Sequence, residues 1–190
     1  MDGKLFIISA PSGAGKTSLV NALIERIRIY RPIDRVITYT TKDAHTCEQE
    51  GCDYYFIKQE EFKKKIKEGF FVEWSCEYGH YYGSPRFIID EVERGRCSIL
   101  IIDRVGAEKI ASLYSKAVLI WIYTSSKEQL RERLILRKRE TEQEIQHRLT
   151  CAEREIAREI SCPLYHYHIL NDIFDEALDK LCKVIQSELS

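Results

Sequence analysis

The chain has 190 residues, 44% of them hydrophobic and 31% charged, which is typical of one soluble globular domain with a real core. A net charge of −1 gives no general attraction to nucleic acid or anionic membranes, so neither is a predicted partner. The longest apolar run, 117–123, is too short to cross a bilayer. With no recognised secretion signal, the seven cysteines indicate reduced thiols and a cytoplasmic protein; the sequence predicts no oligomeric state.

The first half of the chain alternates between strand and helix patterns. Four segments have the apolar pattern of a strand: 5–9, 35–39, 54–57 and 70–74. Two have helical character: 18–28, and the charged segment 60–68, which ends at Gly69. Ser84 and Pro85 are interpreted as the N-cap and first residue of a further helix that Gly95 closes.

The second half continues this alternation. The apolar runs 98–103 and 117–123 are typical of strands buried on both faces of a parallel sheet. Ser125 and Glu128 form a capping-box pattern that opens a long polar helical region to about residue 158. A short strand (168–170) and a helix (173–189) complete the chain. The alternation predicts an α/β fold with helices covering a mainly parallel sheet.

A phosphate-binding loop follows the first predicted strand. In such loops a glycine, four residues and Gly-Lys-Ser/Thr stand in series between strand and helix; here alanine replaces the first glycine. Lys16 would reach the β and γ phosphates of a nucleoside triphosphate, and the Thr17 hydroxyl would ligate Mg²⁺. The loop alone does not separate kinases from GTP switches or ATP motors. The predicted phosphate-binding loop, which the family resemblance given next makes the ATP-binding loop, comprises Ala10, Pro11, Ser12, Gly13, Ala14, Gly15, Lys16 and Thr17.

Six segments resemble the guanylate kinase family in order and spacing, over nearly the whole chain. They are SAPSGAGKTSL, TYTTKDAHTCEQEGCDYYF, FFVEWSCEYGHYYGS, IDRVGA, RLILRKRETEQEIQHRL and LNDIFDEAL. The resemblance implies transfer of the γ-phosphoryl of Mg-ATP to GMP or dGMP, giving ADP and a nucleoside diphosphate. It also implies one P-loop NTPase-type domain with a small β-rich GMP-binding insertion and a helical lid. The implied bounds are core 1–35, 87–126 and 158–190, insertion 36–86 and lid 127–157.

The resemblance also implies a GMP site. Guanine presents two donors, N1–H and N2–H₂, that one carboxylate can accept together, and Glu73 matches the family's carboxylate for this purpose. Tyr54 and Tyr82 match tyrosines that hold the GMP phosphate. The predicted GMP-binding residues are Thr38, Lys42, His45, Tyr54, Glu73, Tyr82, Ser84 and Asp103.

Catalysis in such a site needs no general base. A phosphate monoester has its second pKa near 6, so the acceptor oxygen is already an anion at neutral pH. The protein must then align two anions and neutralise their charge. The resemblance implies Lys16, Arg137 and Arg148 as catalytic residues, with Arg133 and Asn171 as further ATP-binding residues.

The chain departs from the family pattern at several positions, and three of them bear on the chemistry; Ala44 and Cys47 also replace a usual proline and glycine. Lys42 and His45 stand where the family has arginines. Arginine forms bidentate hydrogen bonds to phosphate, and lysine cannot. Ile101 replaces the first carboxylate of the family's Asp-x-Asp. These changes put the affinity for GMP and the handling of metal in question, more than the identity of the acceptor.

Three alternatives stay open at this point. A non-catalytic guanylate-kinase-like binding module usually lacks a working phosphate loop, which this chain has. A related P-loop kinase for another phosphorylated acceptor should lack Glu73 and Ser84; Asp103-Arg104 is faintly similar to thymidylate kinase, but the rest is not. Finally, Cys47, Cys52 and His45 have a spacing compatible with zinc, without an evident fourth ligand.

Overall fold

The computed structural model describes residues 3–28, 32–77, 79–136 and 140–190. The strands are β1 (Leu5–Ser9), β2 (Asp34–Arg35), β3 (Thr38–Thr40), β4 (Tyr54–Phe56), β5 (Phe71–Glu77), β6 (His80–Pro85), β7 (Ser98–Ile101), β8 (Val118–Tyr123) and β9 (Tyr167–Leu170). The helices are α1 (Lys16–Ile27), α2 (Gln59–Lys67), α3 (Phe87–Glu93), α4 (Arg104–Leu113), α5 (Lys127–Leu136), α6 (Glu142–Ser161) and α7 (Phe174–Leu189).

A parallel sheet of five strands forms the centre of the molecule, in the order β2-β7-β1-β8-β9. Successive β1 residues face opposite sides, so Phe6 and Ile8 enter one apolar core while Leu5 and Ile7 enter the other. Helices α1, α5, α6 and α7 complete the first core, and α3 and α4 complete the second. The predicted α/β architecture with a doubly covered sheet is confirmed.

A second, mixed sheet of four strands lies within residues 38–85, in the order β4-β3-β6-β5. Phe62 of α2 stacks on Phe71 of β5 with ring centroids 4.4 Å apart, which fixes the helix against this sheet. The strand β6 is absent from the sequence-based prediction.

The expected helix start at Ser84 and Pro85 is wrong. Both residues end β6, where Ser84 pairs with Glu73 and Pro85 with Phe71, and α3 begins at Phe87. The Ser84 hydroxyl donates to the Glu73 carboxylate, so it is not available to cap a helix. A long-range strand pairing thus overrides a local capping signal.

The long helical region predicted after residue 125 consists of two helices. At the start of α5 the Ser126 hydroxyl accepts from the Gln129 N–H (3.3 Å), one residue later than the predicted cap. A capping box stands at the start of α6 instead, where Thr141 and Glu144 bond reciprocally. Helix α4 was not predicted; Asp103 caps it by accepting from the Gly106 N–H. None of the helices in the described ranges combines the length and hydropathy needed to cross a membrane.

Candidate active site

A cleft of about 930 Å³, counted with its open mouth, lies at the carboxyl ends of β1 and β7, between the two sheets. This is the edge where open α/β sheets bind ligands. Predicted residues from both substrate sites line it: Ala10, Ser12, Lys16, Thr17, Thr38, Tyr54, Glu73, Tyr82, Asp103 and Arg148. The other lining residues are Ser75, Gly83, Ile101, Ile102 and Glu155.

The phosphate loop joins β1 to α1 by a tight turn. Gly15 has φ 90°, a conformation that L side chains rarely adopt, and an added Cβ would lie 2.6 Å from the Asn171 Nδ2. The first turn of α1 carries no acidic residue, so its N-terminal dipole favours an anion. The Lys16 Nζ donates to the Ala10 carbonyl at 2.5 Å, which folds the ammonium back across its own loop.

Two of the predicted ATP-binding residues lie against the phosphate loop. Asn171 is 2% exposed, and its Nδ2 donates to the Ala14 carbonyl at 2.7 Å. Arg133 in turn donates to the Asn171 carbonyl at 2.6 Å. Arg133 thus holds Asn171, and Asn171 holds the phosphate loop at Ala14. Whether Asn171 also contacts the ATP base stays a prediction.

Glu73 is the buried carboxylate of the cleft, at 4% exposure. It accepts a hydrogen bond from Ser84, and Gly106 of α4 approaches it so closely that an added Cβ would lie 2.8 Å from its Oε2. Burial raises the pKa of Glu73 to about 7; the charge of Asp103 adds to the rise, and the Ser84 hydrogen bond opposes it. Because burial removes the hydrogen bonds that water would donate to this carboxylate, a ligand that offers new hydrogen-bond donors stabilises its ionised form.

Asp103 is held in one orientation by two donors. Its Oδ2 accepts from the Ser75 hydroxyl at 2.6 Å, and its Oδ1 accepts from the Gly106 N–H at 2.7 Å. Ser75 and Glu73 are two positions apart on β5 and therefore share one face of the sheet. Glu73, Ser84 and Asp103 form a polar cluster on one side of the cleft.

The loop 41–53 is organised around a carboxylate. The Lys42 Nζ lies 2.5 and 2.7 Å from the two Glu48 oxygens, and the His45 backbone N–H donates to the same carboxylate at 3.1 Å. Burial would raise the pKa of Glu48, but the bonds from Lys42 and His45 outweigh it and hold that pKa below its usual range. Lys42 also lies over the Tyr54 ring, 4.9 Å from its centre. Burial raises the pKa of Tyr54, so its hydroxyl stays protonated and can donate.

The His45 side chain is exposed, and neither it nor Lys42 belongs to the cleft lining that the described residues form. Cys47 and Cys52 are free, exposed thiols. Across the described residues, no three His, Cys, Asp or Glu side chains gather as a metal site requires. The zinc alternative therefore finds no support in this loop. The contact of Lys42 and His45 with a substrate phosphate stays a prediction.

Arg148 reaches the phosphate loop from α6, where its NH1 donates to the Ser12 hydroxyl at 2.9 Å. The Glu140 Oε1 lies 3.6 Å from the Nε of this guanidinium. The structure thus places Arg148 beside the loop. Its catalytic role, which the family resemblance implies, stays a prediction. Arg137, the other predicted catalytic arginine, lies outside the described residues.

Two polar side chains of the cleft, Ser75 and Glu155, were missed by the sequence reasoning. Ser75 could have been found, because it shares a strand face with Glu73 at a spacing of two. Glu155 could have been found too, since it stands seven residues after Arg148 on α6 and so shares its helical face.

Comparison with known proteins agrees with this geometry. The family model described as guanylate kinase matches residues 2–188. A guanylate kinase of Coxiella burnetii is 40% identical over 185 residues, covering 97% of this chain and 87% of that protein. One of Protochlamydia amoebophila is 39% identical over 188 residues, covering 98% and 91%. The crystal structure of guanylate kinase from Anaplasma phagocytophilum superposes with a TM-score of 0.79 at 30% identity, covering 98% of this chain and 86% of the other.

Proposed function

The chain belongs to the guanylate kinase family, and we propose that it transfers the γ-phosphoryl of ATP to GMP in the cleft between its two sheets. One observation carries the proposal. The phosphate loop and the Glu73–Ser84–Asp103 cluster, which come from distant parts of the sequence, line or border the same cleft. A donor phosphate at the loop and a guanine at the cluster would therefore face each other. A non-catalytic module has no need for this pairing.

The acceptor side is proposed to select guanine through Glu73. Its carboxylate can accept from N1–H and N2–H₂ together, whereas adenine would present an acceptor to it and leave a buried charge unpaired. Asp103 and Thr38 border the base and Tyr54 and Tyr82 the phosphate in this proposal. All four line the cleft. Since these side chains do not identify the sugar's 2′ position, GMP and dGMP are both proposed as acceptors.

The donor side is proposed to hold ATP with the loop amides, Lys16 and Arg148. The residues present fit Mg²⁺, because the Thr17 hydroxyl lies on the cleft beside Lys16 and Mg²⁺ takes oxygen ligands from a side chain and from phosphates. Bound there, Mg²⁺ would neutralise charge on the β and γ phosphates. Ile101 lines the same cleft, so that position supplies no carboxylate to the metal.

In this proposal the site acts mainly by aligning the GMP phosphate with the γ-phosphate of ATP. The GMP phosphate oxygen attacks the γ-phosphorus of ATP, the bond from that phosphorus to the β-phosphate oxygen breaks, and GDP and ADP leave. Lys16 and the Arg148 guanidinium would stabilise the negative charge that spreads over the transferred group. Arg148 already bonds to Ser12 of the loop, so it would need little rearrangement to reach a γ-phosphate.

We propose that two parts of the domain have separate roles in this reaction. The second sheet, within residues 38–85, would act as the GMP-binding insertion, and α5 and α6 would act as the lid over the phosphates. A cytoplasmic location is proposed on separate grounds, because all seven cysteines are free.

The test is a coupled assay of ADP release with GMP, dGMP, AMP, dTMP and UMP as acceptors. We expect kcat/KM for GMP to exceed that for AMP by about 10⁴-fold, since a site built to pair polar groups rejects ligands that leave them unpaired. If dTMP or AMP were the better substrate, the chain would act on a different acceptor. If ADP were released with none of the five, the chain would lack this kinase activity.

A second expectation concerns Lys42. Lysine binds as a point charge, and here Glu48 already occupies the ammonium, whereas arginine could bond Glu48 with one side and a phosphate with the other. Lys42→Arg should therefore lower KM for GMP by roughly 3- to 10-fold with kcat little changed. The matched control is Lys67→Arg on the exposed face of α2, which should change neither constant. Equal KM values in wild type and Lys42→Arg would remove Lys42 from the proposed GMP site.

A further inference from the structure

Arg104 is a buried cation next to the proposed GMP site, and the proposed function gives it no role. It is the first residue of α4, directly after Asp103, and only 3% of it is exposed. Its guanidinium donates to Glu159, to the Cys162 carbonyl at 2.5 Å and to Glu108 at 3.1 Å. We call the bonds from Arg104 to Glu159 and to the Cys162 carbonyl the Arg104 clamp.

The carboxylate partner in the clamp is also fully engaged. Glu159 is 4% exposed and accepts from the backbone N–H groups of Leu164 (3.2 Å) and Tyr165 (3.4 Å), with the His168 Nε2 at 2.9 Å. Burial would raise the pKa of Glu159, but Arg104 and His168 outweigh it and hold that pKa below its usual range. The clamp is therefore an ionised, buried pair with its remaining hydrogen-bonding capacity satisfied, the condition under which such a pair holds a fixed geometry.

The clamp holds the C-terminal end of α6, and the same helix reaches the phosphate loop. Arg148 lies eleven residues before Glu159, which corresponds to about 16 Å along the helix axis. At that point Arg148 bonds to Ser12, and Glu155 between them lines the cleft. Helix α6 is thus fastened beside Asp103 at one end and touches the phosphate loop at the other.

We propose that Arg104 is a positioning residue that couples GMP binding at Asp103 to the placement of Arg148 at the ATP phosphates. This inference rests on the proposed function. Asp103 and Arg104 are consecutive at the start of α4, so a base that binds the Asp103 carboxylate acts on the residue next to the clamp. Because a helix is stiff over this length, fixing its clamped end restricts where Arg148 can lie. GMP should therefore raise the affinity for ATP, and by reciprocity ATP should raise the affinity for GMP.

The experiment measures this coupling directly. Calorimetry gives the GMP dissociation constant with and without a saturating non-hydrolysable ATP analogue, in the presence of Mg²⁺. For wild type we expect the analogue to tighten GMP binding by at least about 5-fold. In the double variant Arg104→Gln with Glu159→Gln we expect this ratio to fall to about 2-fold or less. Binding of either ligand alone should stay near wild type, and kcat should fall by at least the same factor as the ratio.

The double variant removes both charges together, so no buried carboxylate is left unpaired and net charge is unchanged. Its matched control is Lys127→Gln with Glu153→Gln, which deletes an exposed ion pair between α5 and the same helix α6. The control should keep the wild-type ratio. Arg104→Lys keeps the buried charge, and it should retain folding but lower the ratio, because an ammonium cannot reproduce the fork that reaches Glu159 and Cys162 together.

The outcomes separate the inference from its premise. A wild type that phosphorylates GMP but shows no coupling would overturn the inference alone, as would an unchanged ratio in a folded Arg104→Lys protein. If the two single-ligand affinities weakened in parallel while their ratio persisted, Arg104 would only stabilise the fold. A wild type that releases no ADP with any acceptor would refute the proposed function instead.

Discussion

Glu73→Gln is expected to raise KM for GMP by roughly 10- to 150-fold while leaving KM for ATP within about 2-fold. A hydrogen bond to a charged group contributes roughly 1.5–3 kcal/mol, and the amide offers one acceptor where the carboxylate offers two. Its NH₂ would also face a guanine donor. The measurement is initial-rate kinetics with each substrate varied. Glu68→Gln, which changes an exposed carboxylate at the C-terminal end of α2, is the matched control and should behave as wild type.

The same substitution is expected to stabilise the unliganded protein. A rise of the Glu73 pKa from 4.5 to about 7 corresponds to up to roughly 3 kcal/mol of unfavourable free energy when the carboxylate is ionised. Glutamine cannot ionise, so it avoids this cost. Some of the gain will be lost because its NH₂ needs a new acceptor in the buried cluster. Thermal unfolding at pH 8 should show a higher Tm for Glu73→Gln, by roughly 3–8 °C.

The pH dependence provides the sharper control. Between pH 4.5 and about 7 the folded state binds a proton at Glu73 that the unfolded state has lost, so the wild type loses stability as pH rises through this range. The Tm advantage of Glu73→Gln should therefore be small at pH 5 and complete at pH 8. Conversely, the KM penalty should shrink from pH 8 towards pH 6, where Glu73 is protonated in the wild type too. Equal Tm advantages at both pH values would show that Glu73 is not a buried ionising group.

The phosphate loop could be predicted from sequence because its signal is local. Gly15, Lys16 and Thr17 are consecutive, and both flanking elements are long enough to show their own periodicity. The three central strands β1, β7 and β8 were predictable for a related reason, since strands buried on both faces are continuous apolar runs. The predicted strand 35–39 is instead divided between β2 and β3, which belong to different sheets. The resemblance to one family then assigned Glu73 and Ser84 to the same GMP-binding site, which their spacing alone does not indicate.

Long-range pairings account for what sequence reasoning missed. Ser84 looked like a helix cap because its partner, Glu73, lies eleven residues away on a neighbouring strand. Arg104 received no structural role from the sequence, because its partners lie at 159 and 162 and only the packing of α6 onto α4 brings them together. The Lys42–Glu48 pair is nearer in sequence, but it depends on the reversal of the chain in loop 41–53, which carries no strong turn signal before Gly51. Local sequence patterns were therefore enough to predict most helices and strands, whereas the contacts within the site depend on residues that are distant in sequence.

Lys16→Met is expected to lower kcat at least about 10³-fold, a larger loss than the substitutions at Lys42, Glu73 or Arg104 should cause. Methionine keeps much of the length and the apolar stem of the side chain and removes the ammonium. In this structure that ammonium donates to the Ala10 carbonyl, a bond that a bound phosphate would replace. Because the negative charge on the transferred group shifts during the reaction, the loss should fall more on kcat than on ATP affinity.

Two measurements show that such a loss is local. The equilibrium affinity for GMP alone should be unchanged in Lys16→Met, since the Glu73 cluster belongs to β5, β6 and the start of α4, not to the phosphate loop. Lys64→Met removes the same group from an exposed position on α2, where 74% of the side chain is accessible, and it should keep wild-type turnover. Wild-type kcat in Lys16→Met would mean that the loop does not hold the transferred phosphate, and phosphoryl transfer would then have to be placed elsewhere in the molecule.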